Sequence, residues 1–311
     1  MNLATETKSI ARLSPAIINL ALLVFTATFN LNPSSAQVPQ FTQASDVPLK
    51  DQIAEHEQKL ASTHEKFSPR ERVTELDTLA SLYRRAGNMP KALDYCAQAM
   101  IIDQHWGSKK GMAITQEIAG RIYSDMGQEK RALDLFNQAL PVWRELGDLS
   151  GQATVLSLVG RAYSNLAQED KALDAFNQAL PLFHQLGNQI GEAGVLDGLG
   201  KVYSDMSQGA KSLDYLNQAL ALWRSTGERA GEALSLVNAG RTYSDLGQKQ
   251  KSLEAYNQSL PIWREIGNQQ GEASALNYLG RVYSDLGQKQ TALDYYNQAL
   301  PVWRASGNRN G

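Results

Sequence analysis

The segment GRVYSDLGQKQ, residues 280–290, occurs forty positions earlier as GRTYSDLGQKQ, differing only at Thr242 against Val282. From Gly120 the chain keeps that register through Gly160, Gly200, Gly240 and Gly280 without an insertion. A weaker copy precedes them, with Ala80, Tyr83, Gly87, Ala92 and Ala99 in the places of Gly120, Tyr123, Gly127, Ala132 and Ala139. Six units result, near 73–112, 113–152, 153–192, 193–232, 233–272 and 273–311. A fixed period of this length marks an array of small stacked elements, not a chain folded around one centre.

Each unit carries two helical patterns. In the third, Ala153, Leu156, Val159, Tyr163 and Leu166 recur at spacings of three and four. Ala172, Leu173, Phe176, Ala179, Leu180, Phe183 and Leu186 then do the same, so both stretches are amphipathic helices. Gly127 or Gly247 separates the two helices of a unit, and Gly147 or Gly267 closes the second. Helices this short cannot bury an apolar face alone, so each pair must stack on its neighbours, and the expected fold is an all-α solenoid.

The order small residue, Leu, Gly, Tyr, Gly, Ala, aromatic, Ala, seen at Ala273, Leu279, Gly280, Tyr283, Gly287, Ala292, Tyr296 and Ala299, resembles the tetratricopeptide repeat (TPR) signature. The resemblance implies a right-handed superhelix of six helix pairs, with the first helix of each pair lining the concave side and a protein or peptide as ligand. A forty-residue period is similar to the long-helix arrays of Pins-like adaptors and of cyanobacterial proteins that carry a CHAT protease domain downstream. That narrower likeness implies an alternative role as the regulatory half of such a protease, with its catalytic His and Cys beyond Gly311.

Two departures from the family pattern bear on packing. Gln116 stands where later units have Leu156, Leu196, Leu236 and Leu276, so the second unit is expected to be the most loosely packed. Pro141, Pro181, Pro261 and Pro301 fall inside second helices, where a proline costs about 3 kcal/mol. Burying the aromatic that follows, Trp143, Phe183, Trp263 or Trp303, returns roughly 4–6 kcal/mol. These helices are therefore expected to persist but bend, with a straighter one where Ala221 replaces proline.

Residues 1–36 differ in kind from the array. Lys8 and Arg12 precede the apolar stretch Ala16 to Phe29, and the small residues Ser34 and Ala36 follow. The stretch is short of the about 20 residues a membrane span takes, and the pattern reads as a signal peptide cleaved near Ala36–Gln37. The chain is then exported; the alternative is an uncleaved membrane anchor. Residues 37–48 read as a proline-punctuated linker and 49–67 as a capping helix built on Leu49, Ile53, Leu60 and Phe67. Ser68-Pro69-Arg70-Glu71 is a capping box that opens the array, 68–311. No comparable cap closes it: the last apolar face is expected either to continue in a longer chain or to dock on another molecule, self-association included.

Chemistry is scarce in this pattern. A catalytic constellation occurs once, whereas GRxYSD recurs, so its tyrosines and glycines read as framework. His56 and His64 are eight residues apart, not at the spacing that binds zinc, and His105 and His184 stand alone. Cys96, the only cysteine, reads as a small buried hydrophobe. A net charge of −2 recommends no nucleic acid. The expectation is a non-enzymatic protein without metal or cofactor.

What remains is the face that the resemblance makes concave. It places Arg121, Arg161, Lys201, Arg241 and Arg281 there, followed four residues on by Asp125, Asn165, Asp205, Asp245 and Asp285. These are either mutually neutralised pairs worth about 0.3–0.5 kcal/mol each or a cationic ladder for an extended peptide. Beside them, Glu117 and Ile118 become Ser157 and Leu158, Asp197 and Gly198, Val237 and Asn238, then Asn277 and Tyr278. Framework positions repeat while these vary, so Asp197, Asn238, Asn277 and Tyr278 are the candidates for selecting a ligand.

Overall fold

The computed structural model describes residues 48–62 and 67–305. The leader, the linker up to residue 47 and the last six residues lie outside them. Among the described residues the elements are thirteen α-helices and no strand. They are α1 (Leu49–Ser62), α2 (Pro69–Arg85), α3 (Met89–Trp106), α4 (Lys109–Asp125), α5 (Glu129–Glu145), α6 (Leu149–Asn165) and α7 (Glu169–Gln185). There follow α8 (Gln189–Asp205), α9 (Gly209–Thr226), α10 (Arg229–Asp245), α11 (Lys249–Glu265), α12 (Gln269–Asp285) and α13 (Lys289–Ala305). From α2 onward they form six pairs, and the even-numbered first helices begin forty residues apart, as do the odd-numbered second helices. No described helix is long and apolar enough to cross a membrane.

The chain divides into two compact units, 1–158 and 159–311, with the division inside α6. In the first, α1 through α5 pack in succession, and α2 also touches α4 directly. In the second, α7 through α13 pack in succession, while α8 touches α10 and α10 touches α12. Within each unit the first helices therefore approach one another on one side, and second helices meet mainly first helices. This is the all-α solenoid of paired helices that the period requires.

Close approach inside a pair follows from a glycine and a ring. A Cβ at Gly240 would stand 2.7 Å from the Tyr256 ring, and one at Gly280 2.6 Å from Tyr296, so no side chain fits at either position. Phe136 occupies the same place against Gly120, and Tyr256 and Phe136 are almost wholly buried. In the first pair Ala80 stands in the glycine position and Cys96 in the ring position, so the added methyl is matched by a smaller partner. A second contact joins successive pairs: Trp143 lies on Gly151, Phe183 on Gly191, Trp223 on Gly231 and Trp263 on Gly271.

Pro141, Pro181, Pro261 and Pro301 all lie inside uninterrupted helices. The aromatics Trp143, Phe183 and Trp263 that follow them are buried, as the expected offset to the proline penalty demands. Turns after first helices use glycine at positive φ, as at Gly127 and Gly247, but Ala167 and Ser207 take the same left-handed conformation at φ 50 and 59. Each of these costs about 1 kcal/mol relative to glycine.

The capping box is present: Ser68 Oγ accepts from the Glu71 amide, and the Ser68 amide donates to the Glu71 carboxylate at 2.8 Å. The capping helix is described over Leu49–Ser62, and residues 63–66 of its expected span lie outside the described residues. It also keeps the register of the second helices, starting forty residues before α3, with Ile53 and Leu60 in the places of Leu133 and Leu140. Leu60 packs on the Val73, Leu76 and Ala99 cluster, yet no residue of α1 is fully buried. Polar contacts hold it instead. Glu57 accepts from Tyr83 Oη at 2.6 Å, Lys91 Nζ at 3.0 Å and Tyr95 Oη at 3.2 Å. Glu75 takes both His56 and Lys59. The Tyr83 hydroxyl, then Lys91, holds the Glu57 carboxyl below the usual range.

Candidate functional site

Within each unit the first helices carry the expected charged residues, and most of these are engaged with one another or with neighbouring side chains. On α4, Arg121 donates to Glu117 one turn back, at 2.9 Å, and not to Asp125. Asp125 accepts instead from Arg84 of α2 at 2.6 Å. Arg161, on α6, is exposed and engaged. On α8, Lys201 Nζ donates to Asp205 at 3.0 Å and to the Ser164 hydroxyl at 2.8 Å. Arg241 of α10 reaches back to the same Asp205 at 3.3 Å, and Lys249 at the start of α11 holds Asp285 at 3.0 Å. Pairs at such exposure contribute about 0–1 kcal/mol each, so the row stabilises little while cancelling most of its own charge.

Arg281 behaves differently. Its guanidinium lies over the Tyr278 ring, 5.3 Å from the centroid, and has no carboxylate partner. Tyr278 is itself stacked on Tyr256, with centroids 5.2 Å apart and planes 8° off parallel. Asn277 is exposed and Asn238 half-buried, and neither side chain amide has a partner. Asp245 is exposed and unpaired. These five residues lie on α10 and α12, which touch.

Asp197 does not belong with them, which corrects the reading of it as a selecting residue. It is buried at 6% exposure, with Oδ1 accepting from the Ser235 hydroxyl at 2.7 Å and Oδ2 from the Trp223 indole N–H at 2.7 Å. Both oxygens are thus committed to α9 and α10. Burial pushes its pKa up to about 7, against the lowering effect of the two donors. The position is the same one that Asn277 exposes, four residues before the cation of its helix. Asp197 finds its donors on the two helices that follow it, and nothing within α8 alone announces them; the signal was Ser235 and Trp223 at fixed offsets.

Asp77 holds that position in the first pair and is buried as well. Thr115 donates to it at 2.9 Å. In place of an indole, however, the second helix supplies Asp103, which packs on Gly111 as the tryptophans pack on their glycines. Burial, with the Asp103 charge adding to it and Thr115 opposing, raises Asp77 to about 7. Burial likewise raises Asp103 to about 6, and its Oδ2 has no hydrogen-bond partner. Gln116, the expected weak point, is buried; its Nε2 donates to Gln138 at 3.1 Å and its Oε1 is left unsatisfied.

Nucleophilic chemistry has little footing in this arrangement. Burial, with Asp77 nearby, pushes the Cys96 thiol well above its ordinary pKa, which suppresses the thiolate needed for attack. Among the described residues no group of three or more His, Cys, Asp or Glu is placed to hold a metal ion.

A sequence profile described as tetratricopeptide repeat matches residues 72–145, 111–185, 192–265 and 250–305. Solved structures with similar folds include the apo form of RapI, at 16% identity and TM-score 0.68, covering 82% of this chain and 92% of that one. A signal-transduction ATPase from Pyrococcus horikoshii with a tetratricopeptide repeat sensor aligns at 14% identity and TM-score 0.67, over 83% of this chain and 41% of the ATPase. A Rap protein complexed with Competence and Sporulation Factor aligns at 15% identity and TM-score 0.60, over 83% of this chain and 77% of its own. At these identities the likeness is one of fold. No curated protein matches the sequence, and the narrower likeness to CHAT-associated and Pins-like arrays gains no support from these comparisons.

Proposed function

Because the chain belongs to the tetratricopeptide repeat family, we propose that it is a non-enzymatic scaffold that binds a protein or peptide along the face of its first helices. One observation carries the reading. Along α8, α10 and α12, which touch in succession, residues that repeat from unit to unit, Leu196, Leu236 and Leu276 with Gly200, Gly240 and Gly280, are buried, while Asn238, Asn277 and Tyr278, which vary, reach the surface. A surface that keeps its frame and changes its contacts suits recognition of an extended or helical segment. The Rap protein that shares the fold is seen complexed with Competence and Sporulation Factor, which supports a ligand of the same broad class here.

Panning a random dodecamer peptide display library on the immobilised chain tests the proposal. Recovery of a peptide consensus above that on the bare support is expected, and its binding should weaken when Arg241 and Arg281 are both changed to Glu. Absence of any enriched peptide counts against a peptide-binding face.

A further inference from the structure

Resting on that reading, we propose that the α10–α12 part of the face captures an acidic residue of an extended segment, its carboxylate held by Arg281. On the other first helices the cations at the matching position are already engaged: Arg121 with Glu117, and Lys201 and Arg241 with Asp205. Arg241 reaches back one repeat to its carboxylate. The same step from Arg281 leads to Asp245, yet that pair is not made.

Tyr278 is the reason. The other first helices carry Thr78, Ile118, Leu158, Gly198 and Asn238 at its position, none of them aromatic. Only here can a ring face draw the guanidinium aside. That ring is anchored by stacking on Tyr256, which is fully buried. A cation resting on a ring uses none of its N–H groups on a carboxylate, so Arg281 keeps its donors for a planar, bidentate partner. The stack also restrains a long side chain before the ligand arrives, lowering the ordering cost of binding.

Its neighbours define the rest of the ligand. The Asn277 and Asn238 amides each offer donors and an acceptor, which matches the alternating N–H and C=O groups of an extended main chain. Asp245, unpaired on the neighbouring helix, repels a second carboxylate. The ligand is therefore a segment with one acidic residue flanked by neutral or basic ones, not an acidic run.

The consensus from the dodecamer library reads this directly. With the wild-type chain, Asp or Glu should be enriched at one position; the enrichment should vanish with Arg281→Gln and persist with Arg241→Gln. By fluorescence anisotropy, the best acidic peptide should lose about ten- to hundredfold in affinity with Arg281→Gln. Replacing its acidic residue with the matching amide should cost as much, and combining the two changes should cost little more. Arg281→Lys should recover only part of the affinity, since an ammonium lacks the planar fork. A consensus without an acidic position, or one indifferent to Arg281→Gln, overturns the inference and leaves peptide binding standing. Failure to recover any peptide removes both. Helical circular dichroism of the variants, expected unchanged because Arg281 is exposed, separates lost recognition from lost fold.

Discussion

Asp77 in the first pair and Asp197 in the fourth occupy the same place in their repeats, and each receives a hydroxyl from the next first helix, Thr115 or Ser235. They differ in what the intervening second helix brings. Trp223 donates an indole N–H to Asp197, whereas Asp103 sets a second carboxylate beside Asp77. One junction is a closed network with every carboxylate oxygen bonded. The other is a pair of mutually repelling buried acids with an unsatisfied oxygen. A single residue on the second helix thus decides whether a buried acid pins two repeats together or weakens the seam between them.

The largest test of that contrast is Trp223→Ala, which removes the indole from Gly231 and strands Asp197 Oδ2. A loss of about 3–5 kcal/mol is expected in urea unfolding; a loss below about 1 kcal/mol would mean that the indole does not join these repeats. The reverse graft, Asp103→Trp, should rebuild the later junction in the earlier one. It places an indole on Gly111 and a donor near Asp77, with an expected gain of about 2 kcal/mol after some overpacking. Destabilisation instead would show that the slot has closed around the carboxylate.

The smallest effect is pH dependence. Asp77 and Asp197 have folded pKa values near 7 against an ordinary 3.8, so between those values the folded chain binds more protons than the unfolded one. Stability must then fall as pH rises through that window and level off above it. Asp197→Asn should flatten the curve and add about 1–2 kcal/mol near pH 8, because an uncharged amide is less costly to bury. An unchanged curve in that variant would place the titration elsewhere.

Much of the architecture was legible before any coordinates. The forty-residue period located every helix from α2 onward, and the small, aromatic and glycine positions showed which faces meet. The prolines inside second helices were correctly expected to be tolerated. The register of α1 was harder to see, because it keeps only Ile53 and Leu60 of the second-helix pattern and replaces the ring with His56. The cationic row was also visible, but not its state. Arg121 pairs with Glu117 and not Asp125, and Arg281 turns to Tyr278 and not Asp245, since a long flexible side chain chooses among several partners at similar distances in sequence.

By itself the sequence determined the solenoid, because period and amphipathic spacing are properties of the chain that hold whatever the neighbours are. Tertiary structure alone decided that Asp197 is a buried tie, and that Arg281 rests on Tyr278 while Arg241 pairs with Asp205. Exposure and pairing depend on donors and rings delivered by other helices, and those meet only when successive repeats stack.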